Sequence, residues 1–161
     1  MPGVPVALAD SAGARLQAYL YAHIPLVQHM QLRVESWDSA SLALSAPLAA
    51  NVNHEGTAFG GSLESLAMLA CWGLVWLLLE HEPAAHIVVA ESHMQFLHPV
   101  TDTLIARCQV PGEARRQTFL ETLRRRSKAR LELQAIVGAT PEPCAKFSGR
   151  FVAYRNNPRA G

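Results

Sequence analysis

Charge of either sign is scarce in this chain of 161 residues: charged side chains make up 17% of it and the formal net charge at pH 7 is +1. So nearly neutral a chain offers no global field to nucleic acid or to an anionic membrane. Cysteine is sparse as well. Cys71, Cys108 and Cys144 are the three present, with no CxxC spacing. That excludes a disulfide framework or a zinc ribbon and reads as reduced thiols of a cytoplasmic protein. His54, His81, His86, His93 and His98 show no HExxH or other paired spacing, so no metal is expected. The opening stretch MPGVPVALADSAGARL lacks a basic segment and has only a short apolar run, so it does not read as a signal peptide. No internal repeat is visible. Low complexity is confined to small-residue tails, 1–9 and 156–161, which are expected to be flexible.

What the chain does have is apolar mass. Half of it is hydrophobic, enough for a single domain over 1–161 with a sizeable core. The most informative segment runs from Asn51 to Glu80. A polar, glycine-rich loop there passes straight into a helix that is apolar from Leu66 to Leu79. A bilayer span needs roughly twenty apolar residues, whereas a run of about 10–14 suits a buried core helix. The core helix is therefore preferred, with a membrane span the lesser alternative. No polar stripe interrupts it, so other elements must wrap it on nearly all sides, and Gly73 would permit one close backbone contact.

Around this helix the hydrophobic period is two. Met30, Leu32 and Val34 alternate with polar residues, as do Ala40, Leu42, Leu44 and Ala46, with a turn at Asp38-Ser39. Ile87 to Leu97 reads as a long strand, with Ala90, Ser92, Met94 and Phe96 on one face and Glu91, His93 and Gln95 on the other. Thr103 to Val110, Ala129 to Val137 and Ala145 to Ala153 complete six strands. Asp10 or Ser11 caps a short helix ending before Pro25, and a short helix or ordered loop is expected around Phe119 to Leu123. The expectation is an α+β fold, an antiparallel six-stranded sheet wrapped around one long buried helix. One sheet edge and one side of the helix are left wanting cover, which suggests a homodimer or a dimer of dimers.

The loop itself resembles a known motif. Asn53, Gly56, Thr57, Gly60 and Gly61 fit the Asn-x-x-Gly-Thr-x-His-Gly-Gly of many hotdog-fold thioesterases, with Phe59 in place of the histidine. Leu97-x-Pro99-Val100 is similar to a strand-end motif of the same enzymes. The narrower likeness is to the bacterial YiiD C-terminal domain family. It rests on Asn51-x-Asn53, Thr57-x-Phe59-Gly-Gly-Ser62 and Gly73-x-x-Trp76, and covers about 12–155. That resemblance implies a hotdog fold and acyl-thioester chemistry. Members carry a thioesterase label, and some are assigned as malonyl-acyl-carrier-protein decarboxylases. It further implies no cofactor beyond the CoA or phosphopantetheine that carries the substrate.

In related thioesterases a carboxylate stands on the central helix seven residues after the second glycine. Here that residue is Met68, whose thioether cannot transfer a proton, and neither can Phe59. What remains is polarisation: the Asn53 amide and the Gly60 or Gly61 N–H at a helix start, with Ser62 and Thr57 beside them. Decarboxylation of a malonyl thioester needs an oxyanion holder and a dry pocket, here Phe59, Met68 and Trp72, and no base. Glu64 is either a displaced general base for thioester hydrolysis or a first-turn carboxylate that suits the helix dipole. Ser62 either meets substrate or caps the helix. Asn51 closes the turn after Pro47, His54 could orient the loop, and His86 sits at the surface. His93 reaches the site from a partner subunit or serves solvent.

Arg115, Arg116, Arg124, Arg125, Arg126, Lys128 and Arg130 gather half of the Lys and Arg within sixteen residues. A charge run is often a solvated face, but this local one would suit an acyl carrier protein or a CoA phosphate. No interleaved aromatics favour nucleic acid. Two other functions stay open: an acyl-CoA or acyl-carrier-protein thioesterase, and a non-catalytic acyl-binding domain.

Overall fold

The computed structural model describes residues 11–156. The expected tails thus lie outside the described residues, apart from Asn156, and so does the alternative cap Asp10. Helix α1 spans Ala12–His23, and the Ser11 hydroxyl accepts from Ala14 N at 3.2 Å as its N-cap.

The next turn departs from the sequence expectation. Met30 does not begin a strand but ends a second short helix, α2, Pro25–Met30. Pro25 supplies the fixed φ of a first helical residue, and Gln31 closes the helix in the left-handed region at φ 54. Alternation of apolar residues over so few positions cannot separate one helical turn from a strand.

Strands β1, Arg33–Trp37, and β2, Ser41–Ala46, form a hairpin whose turn is held by Asp38. Its Oδ1 accepts from Ala40 N at 2.7 Å and Ser41 N at 2.8 Å. After the central helix α3, Gly60–Leu78, come β3, Ala85–Phe96, β4, Leu104–Gln109, helix α4, Glu113–Arg126, β5, Lys128–Val137, and β6, Ala145–Arg155. The strand order is β1-β2-β4-β5-β6-β3 and every pairing is antiparallel. Segment 111–127 is a full helix of 14 residues rather than a short element. It occupies the place beside β5 where β4 ends, since β4 pairs only with Ala135 to Val137. Arg115 Nη2 donates to the free carbonyl of Glu132 at 2.8 Å on that edge.

The sheet curls around α3 in the hotdog arrangement. Inward residues of β4, β5 and β6 alternate as the sequence predicts: Leu104, Ala106 and Cys108, then Leu131 and Leu133, then Phe147 and Phe151, are all buried. Against them α3 buries Leu66, Ala67, Ala70, Cys71, Leu74 and Val75, and full burial of each large side chain contributes about 1.5–3 kcal/mol. Gly73 gives the close contact expected of it, for a Cβ there would stand 3.0 Å from Leu16 Cδ2 and 3.1 Å from Leu42 Cδ2.

The helix is not wrapped all round. Gly61, Ser65, Met68, Leu69, Trp72 and Trp76 stay half-buried along one stripe. Tyr19 of α1 covers its far end, with ring centroids 6.1 Å from Trp72 and 5.3 Å from Trp76. The two sheet edges differ. At β1, the Gln17 side chain of α1 accepts from Val34 N at 2.8 Å. At β3, none of the described elements pairs with the outer edge, and Val88, Val89 and Phe96 are exposed at 46%, 39% and 56%. A bulge between Val89 and Glu91 leaves Ala90 unpaired and shifts the alternation. Ile87 and Val89, then Ser92, Met94 and Phe96, thereby face the α3 side.

Candidate functional site

The loop before α3 is a miniature hairpin. Val52 bridges Ala58, and Gly56 turns the chain at φ 78, a value that favours glycine. Asn53 organises it. Its Oδ1 accepts from Glu55 N at 2.8 Å and Thr57 N at 3.1 Å, and its Nδ2 donates to Thr57 Oγ1 at 2.9 Å. The remaining Nδ2 hydrogen reaches toward Ala58 O at 3.4 Å. The Asn53 amide is thus engaged with its own loop. One consequence concerns Thr57: its oxygen accepts from Asn53, so its hydroxyl hydrogen is left for another acceptor, and it has none among the described residues.

Asn51 anchors the loop to the core. It is 3% exposed, and its Nδ2 donates to Met30 O at 3.0 Å and to Pro47 O at 2.8 Å, so it does close the turn after Pro47. Its backbone carbonyl accepts from Phe59 N at 2.7 Å, which fixes where α3 begins.

That beginning is bare. Phe59 is the N-cap residue and no side chain caps the helix. Ser62 N and Leu63 N both donate to Phe59 O, while the N–H groups of Gly60 and Gly61 have no partner among the described residues. Two amides at the positive end of a 19-residue helix therefore point outward, as an anion or a polarised oxygen would require. Phenyl rings flank them. Phe96 ring carbons lie 3.3 and 3.4 Å from where a Gly60 Cβ would stand, and a Gly61 Cβ would run into the Phe59 ring. Gly61 is what lets the Phe59 ring lie so close, whereas at Gly60 a Cβ would press only slightly on Phe96.

Ser62 is not the cap but a residue of the first turn, and its hydroxyl has no partner among the described residues. Glu64 lies beyond the first turn, so the dipole explanation lapses. Its Oε1 instead accepts from Ser92 Oγ of β3 at 3.2 Å. Met68, one turn further, is half-buried against the core.

Asn53, Thr57, Phe59, Gly60, Gly61, Ser62, Glu64 and Met68 thus collect at one end of α3 and along its open stripe. His93 does not join them. It pairs with Ser148 on the outer face of the sheet, where it lines a trough of about 800 Å³ with Gln109 and Gln134. In that trough Arg150 bridges Glu91 at 3.0 Å and Glu132 at 3.4 Å. His86 stacks near Tyr154 at the start of β3, and exposed His54 lies 3.2 Å from Glu55.

The basic run divides. Arg124 and Arg155 both grip Glu82, which is only 8% exposed, through contacts of 2.7 and 2.5 Å. Arg116 pairs with Glu113, and Arg115 serves the β5 edge. Arg125, Arg126, Lys128 and Arg130 remain exposed with no carboxylate partner among the described residues. Sequence reading missed Glu82, Ser92 and Phe96 as site or anchor residues. The inward phase of β3 already grouped Ser92 with Phe96, but nothing local ties Glu82 to arginines 42 and 73 positions away.

No group of three or more His, Cys, Asp or Glu side chains converges among the described residues. Burial raises the Cys71 thiol well above its ordinary pKa, with the neighbouring Cys108 adding to the shift, so Cys71 does not serve as a ready nucleophile.

Comparison with known proteins agrees with the hotdog fold. The family model described as "Putative thioesterase (yiiD_Cterm)" matches residues 13–155. A Chlorobaculum tepidum TLS protein of unknown function is 35% identical, with a TM-score of 0.87 over 91% of this chain and 96% of that one. A Shewanella oneidensis protein, described in the same two words as the family, is 32% identical, with a TM-score of 0.80 over 90% of this chain and 99% of that one.

Proposed function

This chain belongs to the YiiD C-terminal thioesterase-like family, and we propose that its own reaction is decarboxylation of a malonyl thioester, on acyl carrier protein or CoA, to the acetyl thioester. One observation carries the reading: α3 opens with two free amides at Gly60 and Gly61, and no proton-transferring group stands at Met68 or Phe59. The thioester oxygen accepts from these amides and from the Thr57 hydroxyl, which Asn53 orients. The bond between Cα and the carboxylate carbon then breaks. Carbon dioxide leaves and its electron pair passes to Cα, giving an enolate whose charge rests on the held oxygen. Cα takes a proton from water and the acetyl thioester is complete. Each oxyanion donor of this type is worth about 3–4 kcal/mol. Phe59, Phe96 and Met68 flank the amides with apolar surface, and a second copy lying over this open side leaves the carboxylate poorly solvated, which favours its loss.

The four unpaired cations Arg125, Arg126, Lys128 and Arg130 supply the docking surface for an acidic carrier or a CoA phosphate. The open β3 edge and the half-buried stripe of α3 support a homodimer in which a second copy covers both. Cytoplasmic residence fits the free thiols.

A second reading, thioester hydrolysis, is favoured by the Glu64–Ser92 hydrogen bond, which holds a carboxylate on the open side of α3. The two separate on incubation with malonyl-CoA and malonyl carrier protein while CO2 and free thiol are both measured. CO2 without thiol is expected, and Asn53→Ala or Thr57→Val should lower it about 100-fold or more. Thiol release that vanishes in Glu64→Gln would establish the hydrolase instead. Neither product would leave an acyl-binding domain.

A further inference from the structure

Helix α3 and strand β3 run side by side and touch at three places. The Phe96 ring lies against Gly60, Ser92 Oγ donates to Glu64 Oε1 at 3.2 Å, and Trp72 Nε1 reaches the Ile87 carbonyl at 3.4 Å. Between the first and second contacts lies the half-buried side chain of Met94, and between the second and third that of Met68, both packed against the core. The contacts follow one another away from the Gly60 and Gly61 amides, along the half-buried stripe of α3 and the open edge of β3. At a rise of about 1.5 Å per residue, Glu64 stands about 6 Å beyond Gly60 along the helix and Trp72 about 18 Å beyond it.

We propose that the Glu64–Ser92 pair is a stop that limits the acyl group to short chains of about four carbons, which meet Met94 ahead of it, and that Met68 and Trp72 line a longer channel closed behind it. The inference rests on the reading of the two amides as the site of the thioester oxygen. A carbon–carbon single bond is about 1.5 Å, so a chain starting there meets Glu64 after about four bonds. A longer tail would have to pass an ionised carboxylate and strip water from it. One hydroxyl hydrogen bond cannot replace that hydration, so the tail gains little from Met68 and Trp72 beyond. A malonyl or acetyl group ends before the stop. A fatty acyl chain does not. The apolar surface that would welcome one is present, which makes the carboxylate rather than the channel's size the discriminating element.

The test is a calorimetric titration of the whole protein with acetyl-, butyryl- and octanoyl-CoA, with free CoA as reference and thiol release followed in the same samples. In the parent protein, affinity should be level or falling from acetyl to octanoyl. Glu64→Ala removes the carboxylate and Ser92→Ala lets it swing aside, so both should tighten octanoyl-CoA about tenfold or more and leave acetyl-CoA within about twofold. Trp72→Ala combined with Glu64→Ala should extend the gain to longer chains. A parent protein that already prefers octanoyl-CoA would overturn the proposal. So would both single variants keeping the parent profile while their circular dichroism and melting remain those of the parent. Binding of no CoA ester at all would remove the premise about the amides, and the inference with it.

Discussion

The sequence presents one basic run, and the structure assigns its members different tasks that a stability measurement can separate. Glu82 follows α3, and its side chain is 5% exposed while it meets Arg124, 57% exposed, and Arg155, 24% exposed. Arg155 Nε is itself buried without a partner among the described residues, so this guanidinium has little water to fall back on. Consider Arg155→Met. It leaves a nearly buried carboxylate with a single, mostly solvated partner. Breaking a fully buried pair costs about 3–5 kcal/mol, and the surviving Arg124 contact brings the expected loss to about 2–3 kcal/mol. Arg124→Gln removes the exposed partner and leaves the buried one, so about 1 kcal/mol is expected. Arg125→Gln, next in sequence, touches neither and should stay within about 0.5 kcal/mol. Urea unfolding followed by the fluorescence of the three tryptophans reads all of these on one scale. In a Glu82→Gln background the Arg155→Met cost should fall by about 2 kcal/mol, because the charge it answered is gone. Equal losses for Arg124→Gln and Arg125→Gln, or an Arg155→Met protein as stable as the parent, would refute the assignment.

Two further outcomes follow from groups whose surroundings shift their titration. Cys71 and Cys108 are buried and the Cys71 thiol is pushed upward by desolvation, whereas Cys144 is half-exposed. A maleimide at pH 8 should therefore label Cys144 in the folded protein and reach the other two only on unfolding, read by mass spectrometry; fast labelling of Cys71 would contradict its burial. Asp38 is held below the ordinary carboxylate range by hydrogen bonds from Ala40 and Ser41 N–H. A depressed carboxyl contributes stability above its unfolded pKa and loses it as pH falls through the folded value. The deficit of Asp38→Ala should thus be full at neutral pH and vanish in strong acid, a trend that pH-dependent urea midpoints would check.

The hotdog arrangement was legible because its signals are local and repeated. Period-two alternation recurs at β2, β4, β5 and β6, and one long run without polar residues sits between them; at β4 and β5 it survives into the buried face residue by residue, whereas β2 buries Ala43 and Ser45 of its other face as well. The Gly60-Gly61 start of α3 was legible for the same reason. Where a signal was short it misled: Met30 and Leu32 alternate like a strand, yet Pro25 and the left-handed Gln31 bracket a single helical turn there. Segment 111–127 gave no clear period because only Phe119 and Leu123 of its helix are buried.

The sequence by itself therefore determined the long apolar central helix, the buried faces of β4 and β5, and a loop without a proton-transferring group at Phe59 or Met68. Those features depend on which side chains a helix or strand can bury, and neighbours along the chain decide that. Only the tertiary structure decided that Asn53 turns its amide to Thr57, that Glu64 meets Ser92 between α3 and β3, and that Arg124 leaves the basic run for Glu82. Each is a directional contact between groups with more than one available partner, and packing in three dimensions selects which partner is within reach.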